Sequence, residues 1–295
     1  MRHIRAVLKR TGLAFYDNQM THHAAALTYY CLMSLFPAAL LAVSLLGVIG
    51  QYPETYEAII GYLRDVVPAT AINAVDASLR DAFSSRSTAT AAIVISVVLA
   101  LYGTTGALEA ARRALNVAFE IEHGRSFLTR KANDIVLTFV LLGLVLISML
   151  AIFLGGSFAE DVFGFVGLGG TGNDVWAAIR WPLAVVAGML AFSLIYYYVP
   201  DVEHRAFRWI TPGAVIGVSL WLGVSLVFSY YVSSVANVGA IYGAFAGAIV
   251  LVGWLWLTNV ALLFGAELNA EIERERELAE GVPRAETINL PAKTG

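Results

Sequence analysis

Between Trp209 and Ala266 the chain runs for 58 residues without an Asp, Glu, Lys or Arg. A soluble domain has no means of burying so long a charge-free stretch, whereas a bilayer demands one, because about 20 apolar residues are needed to cross a hydrocarbon core of roughly 30 Å. This run suffices for two crossings, with the small and polar stretch from Ser233 to Gly239 as the turn between them. Four further charge-free runs, 24–53, 87–108, 135–159 and 181–200, are each long enough for one crossing. The expected fold is all-α, a polytopic membrane protein with six transmembrane helices at about 24–50, 87–108, 135–159, 181–200, 209–233 and 240–266, together with amphipathic surface helices. Residues 1–23 then form an arm, 24–266 the membrane domain with an external loop at 51–86, and 267–295 a charged tail.

Composition narrows the function classes. The chain is 58% hydrophobic and 14% charged, against roughly 45–50% and about 25% in soluble domains, which excludes an ordinary soluble enzyme. Of the 19 cations, 15 fall in the arm, the tail and the connections on one side of the six spans, so the positive-inside rule places both termini in the cytoplasm. The first apolar run begins only after about twenty mixed residues and is longer than a signal-peptide core of about 7–15, so the first helix is expected to stay. A net charge of −3 gives no hold on nucleic acid, and a lone cysteine, Cys31, leaves neither an internal disulfide nor a cysteine zinc site. No cofactor and no metal are expected.

Several segments outside the spans have helical patterns of their own. In the arm, Ile4, Val7, Leu8 and Phe15 form a stripe among Arg2, Arg5, Lys9 and Arg10, which fits either a helix lying on anionic lipid or one packed against the bundle. The external loop carries two stripes, Tyr56–Ile59–Ile60–Leu63–Val67 and Ile72–Val75–Leu79–Phe83, separated by Pro68. After the second span, Leu108, Ala111, Leu115, Ala118 and Phe119 make an apolar face, and Glu109, Arg112, Arg113, Glu120 and Glu122 make the wet one. Arg112 and Arg113 are expected at phosphate depth. The run Glu267 to Gly281 reads as a solvated helix extension, and Arg284 to Gly295 as disordered.

A charge in mid-membrane costs at least about 2.5–3.5 kcal/mol and by default marks an ion path, and no span here carries one near its centre. What the spans offer is neutral polarity. Tyr29, Ser34, Asn237, Tyr242 and Asn259, with Pro37 as a helix irregularity and Glu267 at the end of the sixth span as a candidate functional charge, could together line a path for a neutral or amphiphilic molecule. For each, hydrogen bonding between helices is the competing role. Gly239, Gly243 and Gly247 form a double G-x-x-x-G, and Gly213 with Gly217 repeats the spacing. These are helix-packing positions, against the same chain, a second copy or another envelope protein. His22 and His23 are adjacent, so a helix turns them about 100° apart rather than onto one face. With His3, His123 and His204 isolated in sequence, no catalytic residues are assigned.

The stretch Ala26 to Pro37 resembles the first-span signature of the YihY/BrkB family of bacterial inner-membrane proteins, once labelled ribonuclease BN. Ile241 to Gly247, Trp254 to Leu257 and Gly265-Ala266-Glu267-Leu268-Asn269 resemble its closing signature. Ala114-Leu115-Asn116 and Trp209 to Ala214 also resemble family positions, and the likeness covers roughly Leu13 to Glu273. It implies six spans and the bacterial cytoplasmic membrane, with the ribonuclease label, a virulence label and suggested lipid movement as the roles attached to members. From the residues, the leading expectation is a non-enzymatic transporter of a lipid or amphiphilic envelope component, with membrane lipids as partners. A non-catalytic scaffold or assembly partner is the alternative. A membrane-attached ribonuclease is the reading the residues argue against, since RNA cleavage would need exposed basic and aromatic surface and converging acid, base or metal-binding groups.

Overall fold

A computed structural model of the chain describes residues 2–49, 86–121, 124–153, 169–203, 208–235, 245–282, 288 and 290–293. Among the described residues the regular structure is helical: α1 (Arg2–Asp17), α2 (Met20–Ile49), α3 (Arg86–Ala118), α4 (Phe127–Phe153), α5 (Gly169–Tyr198), α6 (Pro212–Tyr230) with a π-helical turn Tyr231–Val235, and α7 (Ala246–Ala279). Several helices run past the expected spans, α3 to Ala118, α5 from Gly169 and α7 to Ala279. By length and composition, Ala178–Tyr198, Pro212–Ser233 and Ala246–Ala279 could each cross a membrane. The external loop with its two stripes lies outside the described residues, as do Asn237, Gly239, Tyr242 and Gly243.

The helix ends follow from local chemistry. Gln19 takes a left-handed conformation (φ 52°) between α1 and α2, and the amide of Gln19 donates to the Tyr16 carbonyl at 3.0 Å. At the end of α3, Glu120 (φ 57°) sits in the same region, with Ile121 N donating to Asn116 O at 2.8 Å and Glu120 N to Val117 O at 3.1 Å, the paired bonds of a Schellman cap. α7 ends the same way, but with the residue best suited to it: Gly281 (φ 70°), whose neighbour Val282 N reaches Glu277 O at 3.0 Å. α6 starts on Thr211 as N-cap, its hydroxyl accepting from Ala214 N at 3.1 Å, with Pro212 in the first turn, where a missing amide costs nothing.

The chain divides into two compact units. The first comprises 1–23, 111–222 and 260–295. In it α4 packs along α5, and the core is built on Leu115, Phe119, Tyr196, Val199, Val218 and Leu263, all buried. The second comprises 24–110 and 223–259. There α3 presents two glycines to α2: a Cβ on Gly103 would stand 2.8 Å from the Ser34 backbone, and one on Gly106 would stand 2.6 Å from the Tyr30 ring. Trp254 Nε1 donates to Ser225 Oγ at 3.1 Å in the same unit. Both units leave large apolar side chains outward, such as Val94, Ile95, Val98 and Leu99 on α3 and Val136, Phe139 and Val140 on α4. Continuous apolar faces of that kind are uncommon on soluble monomers and suit a hydrocarbon solvent.

Three expectations need correction. The run Glu267 to Gly281 continues α7 but is not solvated throughout, since Glu267, Glu271 and Glu277 are buried. Arg112 does not sit at phosphate depth on a wet face; it is 1% exposed. The tail beyond Pro283 is ordered where described: Ile288 and Leu290 are buried, and Val202 pairs with Ala292 in an antiparallel bridge.

Candidate functional site

The last turn of any helix leaves carbonyls without intrahelical donors, and α5 ends at Tyr198, just before the buried residues Val199 and Asp201. Three cations answer that need. Arg112 Nε donates to Val199 O at 3.0 Å. Arg125 Nη2 donates to Tyr198 O and Val199 O, each at 3.1 Å. Lys293 Nζ donates to Tyr197 O at 3.0 Å and Pro200 O at 3.2 Å. Positive charge at a helix C-terminus also complements the macrodipole.

Buried cations need counter-charges, and two aspartates supply them. Arg112 makes a two-pronged ion pair with Asp134, and Arg125 Nε reaches Asp201 Oδ1 at 2.7 Å. Asn116 locks Asp201 reciprocally, donating to Oδ2 at 3.1 Å and accepting from the Asp201 amide at 2.9 Å. Burial alone would raise the Asp201 carboxyl. Hydrogen bonds from Arg125 and Asn116, together with the charges of Arg125 and Arg112, hold it below its ordinary range instead. Gly124 leaves room for this carboxylate, since a Cβ there would lie 2.1 Å from Oδ2. The cluster joins α3, the start of α4, the end of α5 and the tail, and its geometry is that of a structural clamp.

A second polar seam ties α1 to α7 in the same unit. Arg10 pairs with Glu271 at 3.0 Å and also with Glu275, while the Phe15 ring meets Phe264 with centroids 5.8 Å apart. Asn18 Nδ2 donates to Glu267 Oε1 at 2.7 Å. Glu267 is buried and thus has a holding partner, which local sequence could not disclose. Glu271 also pairs with Arg274, which reaches Glu120 as well, and Glu120 in turn accepts from the Ile288 amide at 2.9 Å.

The other expected path residues are distributed as follows. In the second unit, Asn259 is buried and its Nδ2 donates to Thr28 Oγ1 at 3.1 Å. Ser34 Oγ donates to its own helix, to Cys31 O at 2.8 Å. Tyr29 stands 57% exposed, its ring edge-on to Tyr30. α2 runs unbroken through Pro37. In the first unit, Gly213 and Gly217 lie against α7: a Cβ on Gly213 would be 2.1 Å from Gly265 O, and one on Gly217 would be 3.2 Å from Ala261 O. Gly247, by contrast, faces open space.

Sequence reasoning did not find the cleft at the start of α6. It encloses about 140 Å³ and is lined by Phe119, Tyr196, Tyr197, Arg208, Glu273 and Arg276, among others. Asn269 forms its polar wall, accepting from Gly213 N at 2.8 Å and donating to Thr211 Oγ1 at 3.1 Å. The signal was present: Gly265 and Asn269, one helical turn apart, address Gly213 with backbone contact and cap. Among the described residues no three His, Cys, Asp or Glu side chains converge as a metal site would require.

The family model described as virulence factor BrkB matches residues 13–289. The ribonuclease-like protein YfkH of Bacillus subtilis (strain 168) is 30% identical over 260 residues, covering 88% of this chain and 92% of that protein. A protein of Pseudoalteromonas translucida (strain TAC 125), named as a UPF0761 membrane protein, is 26% identical, covering 88% of this chain and 83% of its own. A UPF0761 membrane protein of Xanthomonas campestris pv. campestris (strain B100) is also 26% identical, and there the match spans 91% of this chain but 61% of the relative. No solved structure matches the chain. With the apolar helices, these matches lead to one conclusion: the chain is a membrane protein and belongs to the YihY/BrkB family.

Proposed function

We propose that the chain is a six-span transport protein of the bacterial cytoplasmic membrane, with both termini in the cytoplasm, that moves a lipid or another amphiphile without covalent catalysis. The observation that carries this reading is the separation of two kinds of polarity. The ion pairs described above lie at helix ends and in the polar seams of the first unit, whereas the contact described between the sixth and first spans, Asn259 to Thr28, is neutral. A neutral seam lets an uncharged or amphiphilic molecule pass where an ion would find no counter-charge.

Photoactivatable phospholipid, added to vesicles holding the full-length protein, tests the reading. Crosslinks concentrated at Tyr29, Ser34 and Asn259 are expected. A uniform pattern over all outward-facing apolar residues would contradict a path.

Gly247 supports a second reading. It is exposed with nothing facing its α-carbon, as a position awaiting a neighbouring helix would be, and so suits a scaffold that holds another copy or an envelope protein. A crosslinker at position 247 would then capture one reproducible protein. The name of the Bacillus relative brings RNA cleavage into view as well. Against it stands His22, which is exposed, with its ring nitrogen 3.3 Å from its turn neighbour Gln19.

A further inference from the structure

The cleft at the start of α6 contains charges of both signs in a small space. Arg208 is exposed and makes no ion pair or hydrogen bond with a described residue. Arg276 lies 4.0 Å from Glu273 and is otherwise engaged with Glu280 at 3.1 Å. Phe119, Tyr196 and Ile272 give the same cleft an apolar side. At about 140 Å³ it is too small for a ligand of the size that fills typical sites of roughly 300–1,000 Å³. It is suited to a compact group of a larger molecule whose remainder lies outside.

The surroundings say where that remainder goes. The cleft opens where the apolar stretch of α5 ends at Tyr198, where α6 begins at Pro212, and just past the last charge-free residue of α7, Ala266. Beside Arg208, Trp209 is 71% exposed and Ile210 is exposed too, the pairing of aromatic and apolar groups that anchors a protein at the headgroup level of a bilayer. A molecule bound here has its polar part in the cleft and its chains in the membrane.

We propose that this cleft binds the headgroup of a zwitterionic phospholipid with a primary ammonium, a phosphoethanolamine. The phosphate takes Arg208, where a guanidinium offers two parallel donors to two phosphate oxygens. The ammonium takes Glu273, which needs N–H donors that a trimethylammonium lacks. A headgroup with phosphate but no cation brings a like charge toward Glu273, whose cation in the cleft, Arg276 at 4.0 Å, is shared with Glu280. This inference rests on the lipid-handling reading above and specifies the class of lipid.

The test is equilibrium binding of full-length protein in detergent micelles to phosphatidylethanolamine, phosphatidylcholine and phosphatidylglycerol of identical chains, read by native mass spectrometry. The expected result is at least a tenfold preference for phosphatidylethanolamine. Arg208→Ala should weaken it tenfold or more, and Arg208→Lys should restore part of the loss. Glu273→Gln should remove the preference over phosphatidylcholine. Equal retention of all three lipids, or Arg208→Ala binding like the parent, overturns the proposal. So does displacement by free phosphoethanolamine at the same concentration as by the lipid, since the ligand would then be a soluble phosphoammonium compound. Movement of labelled lipid by the same preparation separates the two claims: movement without preference overturns only the headgroup assignment, and preference without movement supports the cleft while overturning transport.

Discussion

Replacing Asp134 with Asn keeps the side chain's shape and removes its charge from beneath Arg112. Both partners are 1% exposed, so Arg112 would remain buried without its two-pronged counter-ion. Breaking a buried pair in this way costs about 3–5 kcal/mol. The lower end applies here, about 3 kcal/mol, because Arg112 keeps Asp201 at 3.8 Å and its bond to Val199 O. Against the roughly 5–15 kcal/mol that separates folded from unfolded domains, that loss is large. The unfolding equilibrium of purified protein, followed in mixed micelles by stepwise addition of denaturing detergent, reads it directly. Asp134→Leu combined with Arg112→Met should recover most of the loss, since an apolar pair of similar volume is often neutral or better. A cost below about 1 kcal/mol for Asp134→Asn, the value of a solvated surface pair, would refute the buried clamp.

Other outcomes follow from particular contacts. Gly213→Ala places a methyl 2.1 Å from the Gly265 carbonyl, a backbone collision that should abolish the monodisperse peak in size-exclusion chromatography, whereas Gly247→Ala, facing open space, should leave it unchanged. Asn259→Ala removes the donor to Thr28 Oγ1 and should lower stability by about 0.6–1.7 kcal/mol in the same detergent titration, well below the cost at Asp134. Burial and the Arg125 charge push the Lys293 amine down to about 8 from 10.5, against the pull of Asp201. A released tail regains the higher value, so between pH 8 and 10.5 the released form binds more protons and raising pH favours docking. Amide exchange of residues 288–293, corrected for its intrinsic pH dependence, should therefore slow from pH 7 to 9.5, and Lys293→Met should remove the trend.

What the sequence made legible was whatever depends on solvent alone. Charge-free runs became helices because a bilayer accepts only backbones that satisfy themselves, and the basic arm became a helix because its apolar stripe has the right period. Gly213 and Gly217 lie against α7, where the close approach leaves little room for a side chain. Arg112 was misread because periodicity assigns a charge to the wet face, while its actual partners are Asp134, 22 residues on, and the Val199 carbonyl, 87 residues on. Nothing local announces a helix end that needs capping from another helix. The tail was misread for a related reason: Ile288 and Leu290 are too few to register as a hydrophobic run, yet each is buried once Glu120 holds the Ile288 amide. Asn259 donates to Thr28, 231 residues away, and the cleft at Arg208 is formed by segments that converge only in the fold.

The most direct test of the account is lipid movement in sealed vesicles containing the purified full-length protein. Fluorescent phospholipid is placed in both leaflets and a membrane-impermeant reductant is added outside. The account predicts that bleaching proceeds beyond the outer-leaflet share in every vesicle that carries protein. Bleaching that stops at the outer leaflet, with vesicles shown to be tight and the protein folded, would contradict it.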